Sequence, residues 1–144
     1  EAIKEIFFDW DEILSLQGNS GPYVQYVYAR CRSVLEKATN YEEKNVLDLM
    51  KMQYIPNTEE KTVLRLLYQF SEVVERAQHE LAPHFICTYL FEVAQSFNTF
   101  YNKHSILDEA SSDHSAFRLH LTKGTSLVLQ KGLELLGIQT VEKM

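Results

Sequence analysis

Apolar residues recur at helical spacing along most of this chain. From Pro22 to about Ala38 the stripe is Val24, Val27, Cys31, Val34 and Leu35, with Gln25, Arg32 and Glu36 turned away from it. Pro22 suits the first helical position, with Ser20 or Gly21 as the cap. Asn57 or Thr58 caps a second segment to about His79, along which Val63, Leu66, Leu67, Phe70, Val73, Val74 and Ala77 share a face. A third runs from Pro83 to about Asn102 and buries Phe85, Ile86, Tyr89, Leu90, Val93, Phe97 and Phe100. It is the most aromatic segment, which predicts a central place. The last, from about His114 to Leu136, puts Phe117, Leu121, Val128 and Leu135 on one face, and Gly137 stops it. Weaker signals predict a short helix from Asp9 to Leu14, where Asp9 and Glu12 have capping-box spacing, and a few amphipathic turns over Tyr41–Met52. Residues 108–113, DEASSD, read as a polar loop. No run alternates with period two, so the predicted architecture is all-α, a helical bundle of about five helices.

Three residues on the border of the first long stripe stand out. Tyr23, Tyr26 and Arg30 lie at i, i+3 and i+7, which at about 100° per residue gathers them into one narrow sector. Two rings and a guanidinium so aligned can stack on unpaired bases and hold phosphate. The same residues also fit a plain reading, with the tyrosines at the edge of a core and the arginine in solvent.

Composition narrows this picture without deciding it. The 144 residues are enough for one core, and 45% hydrophobic with 24% charged is ordinary for a globular domain. No apolar run approaches the ~20 residues that span a bilayer, and no secretory segment is present. Cys31 and Cys87 lie far apart in apolar patterns, as buried, reduced thiols of an intracellular protein would. The net charge of −6 argues against a broad nucleic-acid surface, so any such contact rests on a small local patch.

Catalytic chemistry is hard to place. His79, His84, His104, His114 and His120 have no ligand-like spacing with each other or with cysteine, so no metal site is predicted. Asp9, Asp11 and Glu12 read as a helix start, and Glu42 and Glu43 as a solvated face. Gly18 and Gly21 lack the strand and the Lys-Ser/Thr of a phosphate-cradling loop. No residue is assigned a catalytic role.

Several ordered blocks carry a family resemblance. They are Phe8-Asp9-Trp10-Asp11, Gly18-Asn19-Ser20-Gly21-Pro22-Tyr23, Gln25-Tyr26-Val27-Tyr28-Ala29-Arg30, the aromatic run Glu92 to Tyr101, and the ending Gly132 to Ile138 with Val141-Glu142-Lys143-Met144. Together they resemble the C-terminal part of arginyl-tRNA synthetases, over nearly the whole chain. The resemblance implies a DALR-type anticodon-binding domain of a class I aminoacyl-tRNA synthetase over residues 22–144, with residues 1–21 joining it to a catalytic domain. That domain's signatures, His-Ile-Gly-His and Lys-Met-Ser-Lys-Ser, are not in this sequence, and it is expected upstream.

By the same resemblance the partners are the anticodon loop of tRNA for arginine and the catalytic domain of the same chain, in the cytoplasm. ATP with Mg belongs to that catalytic domain, and no cofactor is expected within these residues. Tyr23, Tyr26, Arg30, Tyr101 and Met144, with its α-carboxylate, match family positions at the anticodon loop. Some members carry a tryptophan where this chain has Ser105. The alternative is a stand-alone helical interaction module without a part in aminoacylation.

Overall fold

The computed structural model describes residues 20–38, 54–107 and 112–141. The expected Asp9–Leu14 helix, the Tyr41–Met52 turns and Met144 lie outside these residues. Five helical segments are described: α1 (Gly21–Lys37), α2 (Thr58–Tyr68), α3 (Phe70–His79), α4 (His84–Lys103) and α5 (Ser112–Leu135). No strand occurs among the described residues. The all-α reading holds.

Local chemistry fixes the ends of these helices. The Ser20 hydroxyl accepts a hydrogen bond from the Tyr23 amide at 3.2 Å, and Pro22 falls in the first turn of α1. At α2 a full capping box forms: the Asn57 side chain accepts from the Glu60 amide at 2.9 Å, and Glu60 Oε2 accepts from the Asn57 amide at 2.8 Å. Gly137, at φ 73°, ends α5 with the Ile138 amide bonded back to the Leu133 carbonyl at 2.9 Å. The same pattern ends α3, where the Ala82 amide reaches the Ala77 carbonyl at 2.9 Å. There the left-handed position is Leu81, at φ 48°, so a side chain occupies a conformation that favours glycine.

The single helix expected from Asn57 to His79 is broken at Gln69. Neither proline nor glycine causes the break. The hydroxyl of Tyr89, from α4, donates to the Leu66 carbonyl at 2.7 Å, and the Gln69 amide takes the same carbonyl at 3.0 Å. A side chain inserted into a helical ladder bends it. Burial holds the Tyr89 phenol above its ordinary pKa, so it remains a donor.

As its aromatic content predicts, α4 is central and packs against all four other segments. Ile86, Tyr89, Leu90, Val93, Phe97 and Phe100 are buried in one cluster with Val24, Val27 and Cys31 of α1. The α5 face departs from expectation. Helix α5 starts at Ser112, inside the expected loop, and Leu135 is 56% exposed. Leu121 is buried as expected, with Phe117 and Val128 packed against the core, but Arg118, Thr122, Thr125, Leu129 and Leu133 share the buried face.

The Thr122 and Thr125 hydroxyls satisfy themselves on the carbonyls of Arg118 and Leu121, each at 2.8 Å. Polar residues can thus occupy the buried face, which blurs the hydrophobic period. Gly132 allows close approach: a Cβ there would lie 2.4 Å from Leu90 Cδ2. Cys31 is buried as expected, but Cys87 is exposed, because it lies on the outer side of α4. No described helix is long and apolar enough to cross a membrane.

Candidate functional site

Tyr26 and Arg30 are one turn apart on α1, and Tyr101 approaches them from the end of α4. The Arg30 guanidinium carbon lies 4.6 Å from the Tyr26 ring centroid and 4.8 Å from that of Tyr101, so the cation is flanked by two aromatic faces. Arg30 also donates to the Tyr26 hydroxyl and, at 2.5 Å, to Asn98 Oδ1. Asn98 uses its other end to donate to the Tyr23 hydroxyl at 2.9 Å, and the Tyr23 ring packs on Phe91 with centroids 5.6 Å apart. The structure therefore joins four of the residues singled out in the sequence into one network. Tyr26, Arg30 and Tyr101 face an open groove, while Tyr23 is held one step behind it through Asn98. Met144 lies outside the described residues.

Sequence reasoning missed Asn98. Its role appears only where α1 crosses α4, 68 residues away from Arg30. A polar residue among Phe97, Phe100 and Tyr101 was the available signal.

The groove measures about 900 Å³ and opens between the last turns of α1 and α4. These helices run in the same direction, since Tyr23 pairs with Phe91 and Arg30 with Tyr101. Their carboxyl ends therefore form its two walls, and the backbone Ser105–Leu107 forms its rim. Among the described residues three cations line it, Arg30, Lys37 and Lys103, against one carboxylate, Glu36. A small basic patch on an acidic chain is what the net charge requires of a nucleic-acid contact.

Of the three cations, Lys103 already has a partner, Glu59 at 2.7 Å, and His104 Nε2 lies 3.3 Å from the same carboxylate. The Lys103 hydrogen bond first, then the Glu59 backbone amide and His104, hold the Glu59 pKa down to about 2. Among the described residues the hydrogen-bond partners of Arg30 are neutral, an amide oxygen and a phenol. Among the described residues no group of three or more histidine, cysteine or carboxylate side chains is placed to hold a metal.

A second charged cluster, not foreseen from sequence, lies behind the groove. Glu60 is fully buried and accepts from Arg118 Nε at 2.7 Å and from the Tyr54 hydroxyl at 2.8 and 2.7 Å. Burial pulls the Glu60 pKa up, but the hydrogen bonds from Arg118, Tyr54 and the Asn57 amide outweigh it, and the carboxyl stays below its usual range. Burial and the bond to Glu60 push the Tyr54 phenol up to about 12. Arg118 Nη1 also donates to the Ser105 carbonyl at 2.6 Å, in the rim of the groove.

The geometry agrees with what this chain is similar to. A family model described as the DALR anticodon binding domain matches residues 24–144. The arginine–tRNA ligase of Clostridium kluyveri is 43% identical over 143 residues, which cover 98% of this chain and 25% of that protein. The arginine–tRNA ligase of Pasteurella multocida is 41% identical over 138 residues, covering 95% and 24%. Among solved structures, Thermus thermophilus arginyl-tRNA synthetase matches with a TM-score of 0.82 at 34% identity, over 98% of this chain and 24% of that one. The chain thus spans about a quarter of the length of the curated relatives it matches. With a family model matched over most of its length and a fold shared with a synthetase, the chain belongs to the DALR anticodon binding domain family.

Proposed function

We propose that this chain is the anticodon-binding part of an arginine–tRNA ligase and that the groove between α1 and α4 receives the anticodon loop of tRNA for arginine. Tyr26 and Tyr101 offer faces for splayed bases, and Arg30 offers its remaining donors to a base edge or phosphate. Tyr23 and Asn98 fix the arginine, and the family resemblance adds Met144 to the residues proposed to bind the loop. The catalytic domain of the same protein attaches arginine to the tRNA with ATP and Mg, in the cytoplasm.

The observation that carries this reading is the Arg30 guanidinium, flanked by two tyrosine rings and bonded, among the described residues, to neutral groups at the wall of a groove lined by Arg30, Lys37 and Lys103. The names of the Clostridium kluyveri and Pasteurella multocida relatives support the amino acid. NMR titration with the arginine anticodon stem-loop tests it. Amide resonances of Tyr26, Arg30 and Tyr101 are expected to shift, and to shift less with a stem-loop changed at the central anticodon base. Equal responses to both stem-loops, or none near Tyr26, would overturn the assignment.

A further inference from the structure

The groove's rim has no helix of its own to hold it. After α4 ends at Lys103, the backbone turns through Ser105, whose hydroxyl donates to the Leu107 carbonyl at 3.0 Å, and Ile106 is buried beneath. Beside the packing of Ile106 and Leu107 on the core, a polar contact ties this rim to the bundle through Arg118. Its Nη1 donates to the Ser105 carbonyl at 2.6 Å while its Nε is held by Glu60 at 2.7 Å. Glu60 is in turn fixed by the Asn57 amide and the Tyr54 hydroxyl.

Only a planar, forked cation can serve both acceptors in fixed geometry. The pair is also costly to bury, at 0% and 8% exposure, when two apolar side chains would fill the space. Its neighbour Glu59 faces the other way and holds Lys103 and His104 of the same wall. Two consecutive glutamates in the first turn of α2 thus brace the groove from behind.

We propose that Arg118 and Glu60 are positioning residues for the RNA groove: through the Ser105 carbonyl they hold its rim in the geometry that receives the loop. This rests on the reading of the groove as an RNA site. A rim ordered before binding need not be ordered at the cost of affinity.

The test uses Arg118→Lys, which keeps the charge beside Glu60 but cannot reach both acceptors, and a double variant, Glu60→Gln with Arg118→Met. In the double variant both members are neutral and an acceptor remains for the Asn57 amide. In both, the Ile106 amide nitrogen should move, because its shift reports on the bond accepted by the preceding carbonyl. Affinity for the arginine anticodon stem-loop should fall by about tenfold in the variant whose melting stays closest to the parent's.

In the parent, the Arg118 guanidinium protons should exchange slowly, a measurement that needs no variant, and rapid exchange overturns the tether. A parent that binds the stem-loop beside an Arg118→Lys chain that binds equally well removes the positioning role and leaves the groove's reading intact. A parent that does not bind removes that reading, and this proposal with it.

Discussion

Two arginines in this protein lie beside tyrosines, and their surroundings differ in one respect. Arg118 is buried opposite a carboxylate, with Tyr54 and a backbone carbonyl completing the shell. Arg30 is half-buried between Tyr26 and Tyr101, and among the described residues its polar partners are the neutral Asn98 oxygen and the Tyr26 hydroxyl. The first cation has its counter-charge inside the protein. The second has no hydrogen-bonded counter-charge among the described residues, and cation–π contact holds it in place without neutralising it. Partners, more than exposure, make Arg118 a structural cation and leave Arg30 as the one proposed for recognition.

The largest effects are expected on substituting the two arginines themselves. Arg118→Met leaves a buried carboxylate unpaired and should cost about 3–5 kcal/mol in urea denaturation. Arg30→Met should cost about 1 kcal/mol or less by the same measurement, while weakening the arginine anticodon stem-loop in titration. Equal losses of stability at the two positions would show that Arg30 is structural as well.

Adding a platform on the rim sharpens the contrast. Ser105→Trp restores the residue that some family members carry, next to the groove that Arg30 lines. It should tighten stem-loop binding by about 1–2 kcal/mol if the bases stack there, as fluorescence quenching of the new indole would report. Unquenched fluorescence on saturation would place the bases elsewhere.

The smallest effect concerns acid stability. Glu59 has its pKa lowered to about 2, so folding favours its ionised form. Its contribution is therefore complete above the ordinary carboxylate value near 4.5 and is lost as pH falls toward 2. Replacing it, Glu59→Gln, should flatten this part of the melting-temperature profile between about pH 4.5 and 2 and leave the Arg30 network unchanged.

The comparison also explains what the sequence could reveal. Tyr26 and Arg30 are legible because four residues on one helix make one turn, and Tyr23 shares their sector. Tyr101 needed the family resemblance, since nothing local ties it to α1. Glu60 and Arg118 are 58 residues apart and meet only through the bundle, so no pattern announces them. Asn57 and Glu60 could be read as a cap, yet the same carboxylate's second duty could not.

The helices show the same division. The stripes of α1 and α4 were readable because their buried residues are apolar. That of α5 was readable only in part, at Phe117, Leu121 and Val128, because Thr122 and Thr125 bury hydroxyls that bond to their own helix. The break at Gln69 was hidden for another reason, as its cause is the Tyr89 hydroxyl of a different helix.

The shared direction of α1 and α4 has a consequence for how an anion is met. Both walls of the groove are carboxyl ends of helices, where exposed carbonyls carry partial negative charge. Among the described residues no helix amino end lines the groove, so in the proposed complex phosphates would be neutralised by side chains, with Lys37 and Lys103 in the two last turns offsetting the carbonyls. With Lys103 already paired to Glu59, Arg30 and Lys37 would give a slope of about −1.4 in log affinity against log salt on a single-stranded loop. The loop would then be held in register by its bases and drawn in only weakly by its backbone.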